Sequence, residues 1–132
     1  KDNSRLRDVI DELHSKEIPV SLFIDPNPAA VDSAVELKAD VIEIHTGKYC
    51  NMRSEKDLLL ELSRIGAVAR MASEQGIIVT AGHGLDYTNI FPIVNIPEIQ
   101  EVSIGHAIIS RAVFTGLHKA VEDMISLIRK NY

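Results

Sequence analysis

The sequence predicts an α/β fold in which four strands alternate with helices. Three observations lead there. Val20-Ser21-Leu22-Phe23-Ile24, Val41-Ile42-Glu43-Ile44-His45 and Ile77-Ile78-Val79-Thr80-Ala81 are short, largely apolar runs of the kind that form buried parallel strands. Between them lie longer segments whose apolar residues recur at helical spacing. The third run stops in Gly82-His83-Gly84. Glycines there permit a sharp turn and close approach of a ligand, and an imidazole is held at the tip. Ligands of parallel α/β proteins collect outside the carboxyl ends of the strands, so His83 is a catalytic candidate. A histidine that only hydrogen-bonds its own loop fits the same local pattern.

Composition narrows the class. A chain of 132 residues, 45% hydrophobic and 25% charged, suits one globular domain, and no linker or composition shift divides residues 1–132. The net charge of −5, with no basic stripe, argues against nucleic acid as a partner. The single cysteine, Cys50, excludes an intrachain disulfide and fits a reducing compartment. No apolar run reaches the roughly 18 residues of a membrane span, so no membrane association is expected. The sequence opens on Lys1 directly in a helical pattern and is expected to be a piece of a longer protein.

Leu6, Val9, Ile10 and Leu13 predict an amphipathic helix from about Asp2 to Ser15, with His14 at its solvated end. The first strand follows and ends at Asp25, whose position at the carboxyl end suits contact with a ligand but which is read first as capping the next turn. Asn27 and Pro28 supply a cap and a first helical position for a helix to about Lys38. In Val41–His45, alternation puts Ile42 and Ile44 on one face and Val41, Glu43 and His45 on the other. The second face places a carboxylate and an imidazole near the ligand end. A buried carboxylate must be paired, protonated or turned to solvent or ligand, so Glu43 is either functional or half of a Glu–Arg pair.

Thr46–Asn51 is expected as a loop able to cover a pocket. Ser54 and Asp57 resemble a capping box opening a long helix whose stripe is Leu58, Leu62, Ile65, Ala69 and Ala72, ended by Gly76. A short helix from about Tyr87 to Val94 and a last strand near Glu101–Ile104 follow. Gly105-His106-Ala107 then leads into helix. Free backbone amides at such a start suit an anion, although Gly105 also fits a plain turn. Val113, Leu117, Ala120, Val121, Met124, Ile125 and Ile128 are expected on one face of a final helix, with His118 on the surface. The pattern leaves open whether the strands form an open doubly wound sheet or half of a (β/α)8 barrel.

Four motifs carry a resemblance. Val20-Ser21-Leu22-Phe23-Ile24-Asp25, Ile42-Glu43-Ile44-His45-Thr46-Gly47 with Tyr49, Ala81-Gly82-His83-Gly84-Leu85 with Tyr87 and Asn89, and Ile104-Gly105-His106-Ala107-Ile108-Ile109 through Arg111-Ala112-Val113 and Thr115-Gly116-Leu117 resemble the pyridoxine 5′-phosphate synthase family in order and spacing. The match is to that family's carboxyl-terminal half and covers almost the whole chain.

The resemblance implies a (β/α)8 TIM barrel of which this chain supplies the last four βα units. It implies the ring-closing condensation of 3-amino-2-oxopropyl phosphate with 1-deoxy-D-xylulose 5-phosphate, releasing inorganic phosphate and water, in a cytoplasmic homo-oligomer without metal or organic cofactor. His83 resembles the family's proton donor, and Glu43 the carboxylate that stabilises a cationic transition state or intermediate. Gly84, Gly105 and His106 resemble residues that bind the amino-ketone phosphate or the product. His45, two residues from Glu43 on the same face, is read as a supporting partner, and the resemblance gives it no role. The family's other catalytic residues belong to its amino-terminal half, so this chain alone is expected to be inactive. Three rivals stay open: another phosphate-binding barrel enzyme, a non-catalytic phosphate-binding half-barrel, and an open flavodoxin-like sheet.

Overall fold

A computed structural model describes residues 3–129. Four parallel strands, β1 (Ser21–Ile24), β2 (Val41–His45), β3 (Ile78–Gly82) and β4 (Ile99–Ser103), form one sheet in the order β1-β2-β3-β4. Helices α1 (Ser4–His14), α2 (Pro28–Glu36), α3 (Gly47–Cys50), α4 (Glu55–Glu74), α5 (Ile90–Val94), α6 (His106–Thr115) and α7 (Leu117–Arg129) fill the connections. Consecutive parallel strands joined through helices, with no strand out of order, are the arrangement of half a (β/α)8 barrel. A doubly wound sheet would instead reverse its strand order at a switch point.

One face of the sheet is packed. Ile42 and Ile44 of β2 and Val79 and Ala81 of β3 are buried against Val31 and Ala34 of α2, Ile65, Val68, Ala69 and Ala72 of α4, Ile90 and Ile93 of α5 and Met124 of α7. Phe23, Glu43 and His45 occupy the opposite, more open face, as the alternation in β2 predicts.

The helix signals hold locally. The Asn27 side chain accepts from Ala30 N at 2.9 Å with Pro28 behind it. Ser54 Oγ accepts from Asp57 N at a longer 3.4 Å. Gly76, at φ 79°, follows the end of α4 in the left-handed conformation that favours glycine.

Helix α1 runs over Ser4–His14, close to the expected span; Asp2, expected as its start, lies outside the described residues. Three expectations need correction. His14 is not simply solvated: its Nε2 meets Asp40 Oδ2 at 2.8 Å and ties the end of α1 to the approach to β2. Thr46–Asn51 is a helical turn rather than a cover, with Thr46, Gly47 and Tyr49 buried. The final helix is two helices, because Gly116 (φ 80°, ψ 151°) breaks the backbone between α6 and α7. Val113 and Leu117 are consequently exposed, and only Ala120 and Met124 of the expected stripe are fully buried.

Asp40 clamps the end of the sheet away from the strands' carboxyl termini. Its Oδ2 accepts from Val20 N at 2.6 Å as well as from His14, and these bonds, the Val20 one foremost, hold the carboxyl below its ordinary 3.8. A carboxyl depressed on folding stabilises the protein above its unfolded value and loses that contribution as pH falls through the folded one. Urea unfolding should therefore show stability falling as pH drops below 3.8. Asp40→Asn should weaken that acid-range fall and cost roughly 1 kcal/mol at neutral pH; an unchanged pH profile would contradict this role.

Candidate functional site

The carboxyl ends of the strands gather the titratable residues. Parallel register pairs Phe23 with Glu43 and His45 with Gly82, so the Gly82–Gly84 tip stands beside the end of β2. The tip is not held in the manner that the glycines alone suggest. His83 itself has φ 76°, a left-handed conformation rare in a side-chain-bearing residue. Such a backbone costs of order 1–3 kcal/mol and persists where its surroundings impose it.

Thr46 imposes it. Fully buried, it donates from its backbone N to Gly82 O (2.8 Å), while the single proton of Oγ1 is shared between Gly82 O (2.7 Å) and His83 O (2.8 Å). Gly84, at φ 81°, continues the left-handed turn. Beyond it, Asn89 Nδ2 donates to Gly84 O (3.1 Å), and Tyr49 Oη donates to Asn89 O (2.8 Å).

Gly82 has a different purpose from its partner. It lies in β3, and a Cβ there would stand 2.0 Å from Glu43 Oε1 and 3.1 Å from the Ser103 side chain. Glycine at this position makes room for the Glu43 carboxylate. Ser103, the last residue of β4, donates from Oγ to Glu43 Oε2 at 3.2 Å. Among the described residues Glu43 has no ion-pair partner, so the Glu–Arg alternative is not what the structure holds.

Glu43, His83, Gly84, Gly105 and His106 all line one cleft of about 650 Å³, together with Phe23, Asp86 and Ser103. All five residues singled out in the sequence thus come together. Helix α6 opens at His106 without a side-chain cap, leaving its first-turn amides toward this end of the sheet. The cleft contains a second carboxylate. Burial pushes Asp86 up, but hydrogen bonds from Thr88 and Asn89 outweigh it and leave the group below its ordinary value.

Two residues escaped the sequence reading. Ser103 needs the β3–β4 register to be placed, and Asp86 follows the tip rather than a strand. Asp25 carries alternation one residue past β1. It does not cap the following turn with its side chain: Oδ1 lies 3.1 Å from His45 Nδ1. Cys50 is close, its Sγ 3.7 Å from His83 O, but burial raises its thiol pKa and so disfavours the thiolate. Among the described residues no cluster of three or more His, Cys, Asp or Glu is placed to hold a metal, and no helix is long and apolar enough to cross a membrane.

Comparison with known proteins agrees with this architecture. A family model described as "Pyridoxal phosphate biosynthesis protein PdxJ" matches residues 1–130. Among curated relatives, a pyridoxine 5′-phosphate synthase of Chlorobium phaeobacteroides is 52% identical over 124 residues, covering 94% of this chain and 52% of that protein. Proteins of the same name from Chloroherpeton thalassium and Nostoc punctiforme are 48% and 41% identical, covering 91% and 97% of this chain and 51% and 53% of their own. The chain thus spans about half the length of the curated relatives it matches.

The hold on the tip is testable. Thr46→Val removes the hydroxyl and little volume, and should lower stability by about 1–3 kcal/mol in urea unfolding. A loss indistinguishable from zero would mean that the His83 backbone is held by something else.

Proposed function

The chain belongs to the PdxJ family of pyridoxal phosphate biosynthesis proteins, and on that premise we propose that it carries part of a pyridoxine 5′-phosphate synthase site. It is read as the last four units of a (β/α)8 barrel. The reaction is the ring-closing condensation of 3-amino-2-oxopropyl phosphate with 1-deoxy-D-xylulose 5-phosphate, with release of inorganic phosphate and water. The observation that carries the reading is that Glu43, His83, Gly84, Gly105 and His106 line a single cleft at the ligand end of the sheet.

Residue types and placement suit the chemistry. Joining an amine to a ketone and expelling water needs repeated proton transfers, which an imidazole performs in either direction near neutral pH. His83 is the proton donor: its backbone is fixed by Thr46, and among the described residues no hydrogen bond occupies its ring nitrogens. Protonated imine intermediates are cationic. Glu43, held by one neutral hydroxyl and paired with no cation of the described residues, is placed to stabilise such an intermediate. Asp86 adds negative potential on the same wall. The uncapped start of α6, reached through Gly105, receives a phosphate through backbone amides, with Gly84 and His106 beside it. The same reading puts the enzyme in the cytoplasm as a homo-oligomer.

The test is an assay for pyridoxine 5′-phosphate with the chain alone and with the unmatched half of the Chlorobium phaeobacteroides relative. Product formed on adding that half supports the reading. A folded mixture that binds phosphate and makes no product would favour a non-catalytic half-barrel. In the active assembly, His83→Ala should lower turnover at least about 10²-fold with the fold retained. Near-normal turnover in the folded variant would remove His83 from the chemistry. Glu43→Gln should reduce kcat more than it raises KM; a change confined to KM would make Glu43 a binding residue.

A further inference from the structure

We propose that Asp25 and His45 form a positioning pair for the His83 imidazole, an inference that rests on the reading of His83 as proton donor. The starting point is that nothing polar orients the His83 ring. Thr46 fixes its backbone carbonyl, yet among the described residues neither ring nitrogen has a hydrogen-bond partner. A proton donor without an oriented ring spends most of its time misaligned, and small misplacement is costly to rate.

The ring is instead confined by contact. His45 meets it edge-on, with ring centroids 4.8 Å apart and planes at 65°. Phe23 lies 5.0 Å from the His45 ring and 6.5 Å from the His83 ring, so His45 is held between the other two. Gly47 forms the floor beneath both imidazoles. A Cβ on Gly47 would stand 2.7 Å from His45 Nε2 and 2.8 Å from His83 Cδ2.

Asp25 sets the orientation of His45. A carboxylate only accepts, so the 3.1 Å contact to Asp25 Oδ1 requires the proton on His45 Nδ1. The ring can then neither flip nor exchange tautomer without losing that bond, and its Nε2 edge stays over Gly47 against His83. Stability gives no reason for the pair. Asp25 is 77% exposed and His45 31%, and ion pairs so wetted are worth about 0–1 kcal/mol. Its location does: the pair links the ends of β1 and β2 and backs directly on His83.

The experiment has two arms. In the first, imidazole ¹⁵N spectra of the chain are compared with those of Asp25→Ala and Asp25→Asn. The wild type should show His45 protonated on Nδ1. Asp25→Ala should redistribute that proton and also shift the ring signals of His83, which Asp25 does not touch, while Asp25→Asn, whose amide oxygen can still accept, should restore most of both.

In the second arm, steady-state kinetics are measured on the assembly made active with the relative's half. Asp25→Ala should reduce kcat by about 10- to 100-fold with little change in KM, and Asp25→Asn should recover much of it. Unchanged His83 signals, or an unchanged kcat in Asp25→Ala, would overturn the positioning role. Should the wild-type assembly make no product, the synthase reading fails by itself. The spectra still decide whether Asp25 orients His83 through His45.

Discussion

One residue joins the ends of the two central strands. Thr46 follows β2, yet its backbone amide and its hydroxyl both point to the tip of β3, the amide donating to Gly82 O and the hydroxyl proton shared between the carbonyls of Gly82 and His83. Those bonds hold His83 in a left-handed backbone conformation that it would not adopt freely. They also fix the register at the ligand end, where His45 pairs with Gly82 and two imidazoles meet over Gly47. The absence of a side chain at Gly82 then leaves space for the Glu43 carboxylate. That junction helps present the His83 imidazole and the Glu43 carboxylate to one cleft.

Two carboxylates of this region, one buried and one facing the cleft, are treated in opposite ways. Glu61, in α4, is 3% exposed and takes two cations, Lys48 at 2.9 Å and Arg64 at 3.2 Å. A charge so buried requires partners, and the Lys48 bond ties α3 to α4 beneath the site. Glu43 has only the Ser103 hydroxyl. Its unneutralised charge faces the cleft, where Asp86 adds a second one. A wall of this kind favours a ligand with cationic character near β2 and β3. The uncapped start of α6, at the far side, favours an anionic group. A phosphorylated amine carries both.

What could be read from the sequence was what depends on one element at a time. Alternation in β2 separated Ile42 and Ile44 from Glu43 and His45, and the caps at Asn27 and Ser54 opened the expected helices. The gathering of His83, Glu43, Gly84, Gly105 and His106 followed from each lying at a strand's carboxyl end. What escaped depends on two elements at once. The space at Gly82 exists for a side chain on the neighbouring strand, and Asp25 finds its partner 20 residues away. His14 likewise finds Asp40 across the chain. Helical periodicity ran through Gly116 because apolar spacing is insensitive to a single broken residue between two helices.

On the proposed function, the cleft between the tip of β3 and the start of α6 receives the phosphorylated ligand. Titrating pyridoxine 5′-phosphate into ¹⁵N-labelled chain and following backbone amides would test it most directly. The largest changes are expected at Gly84, Gly105, His106 and Ala107, with smaller ones along α1 and α2. Changes centred away from that cleft, or none at millimolar ligand, would contradict it.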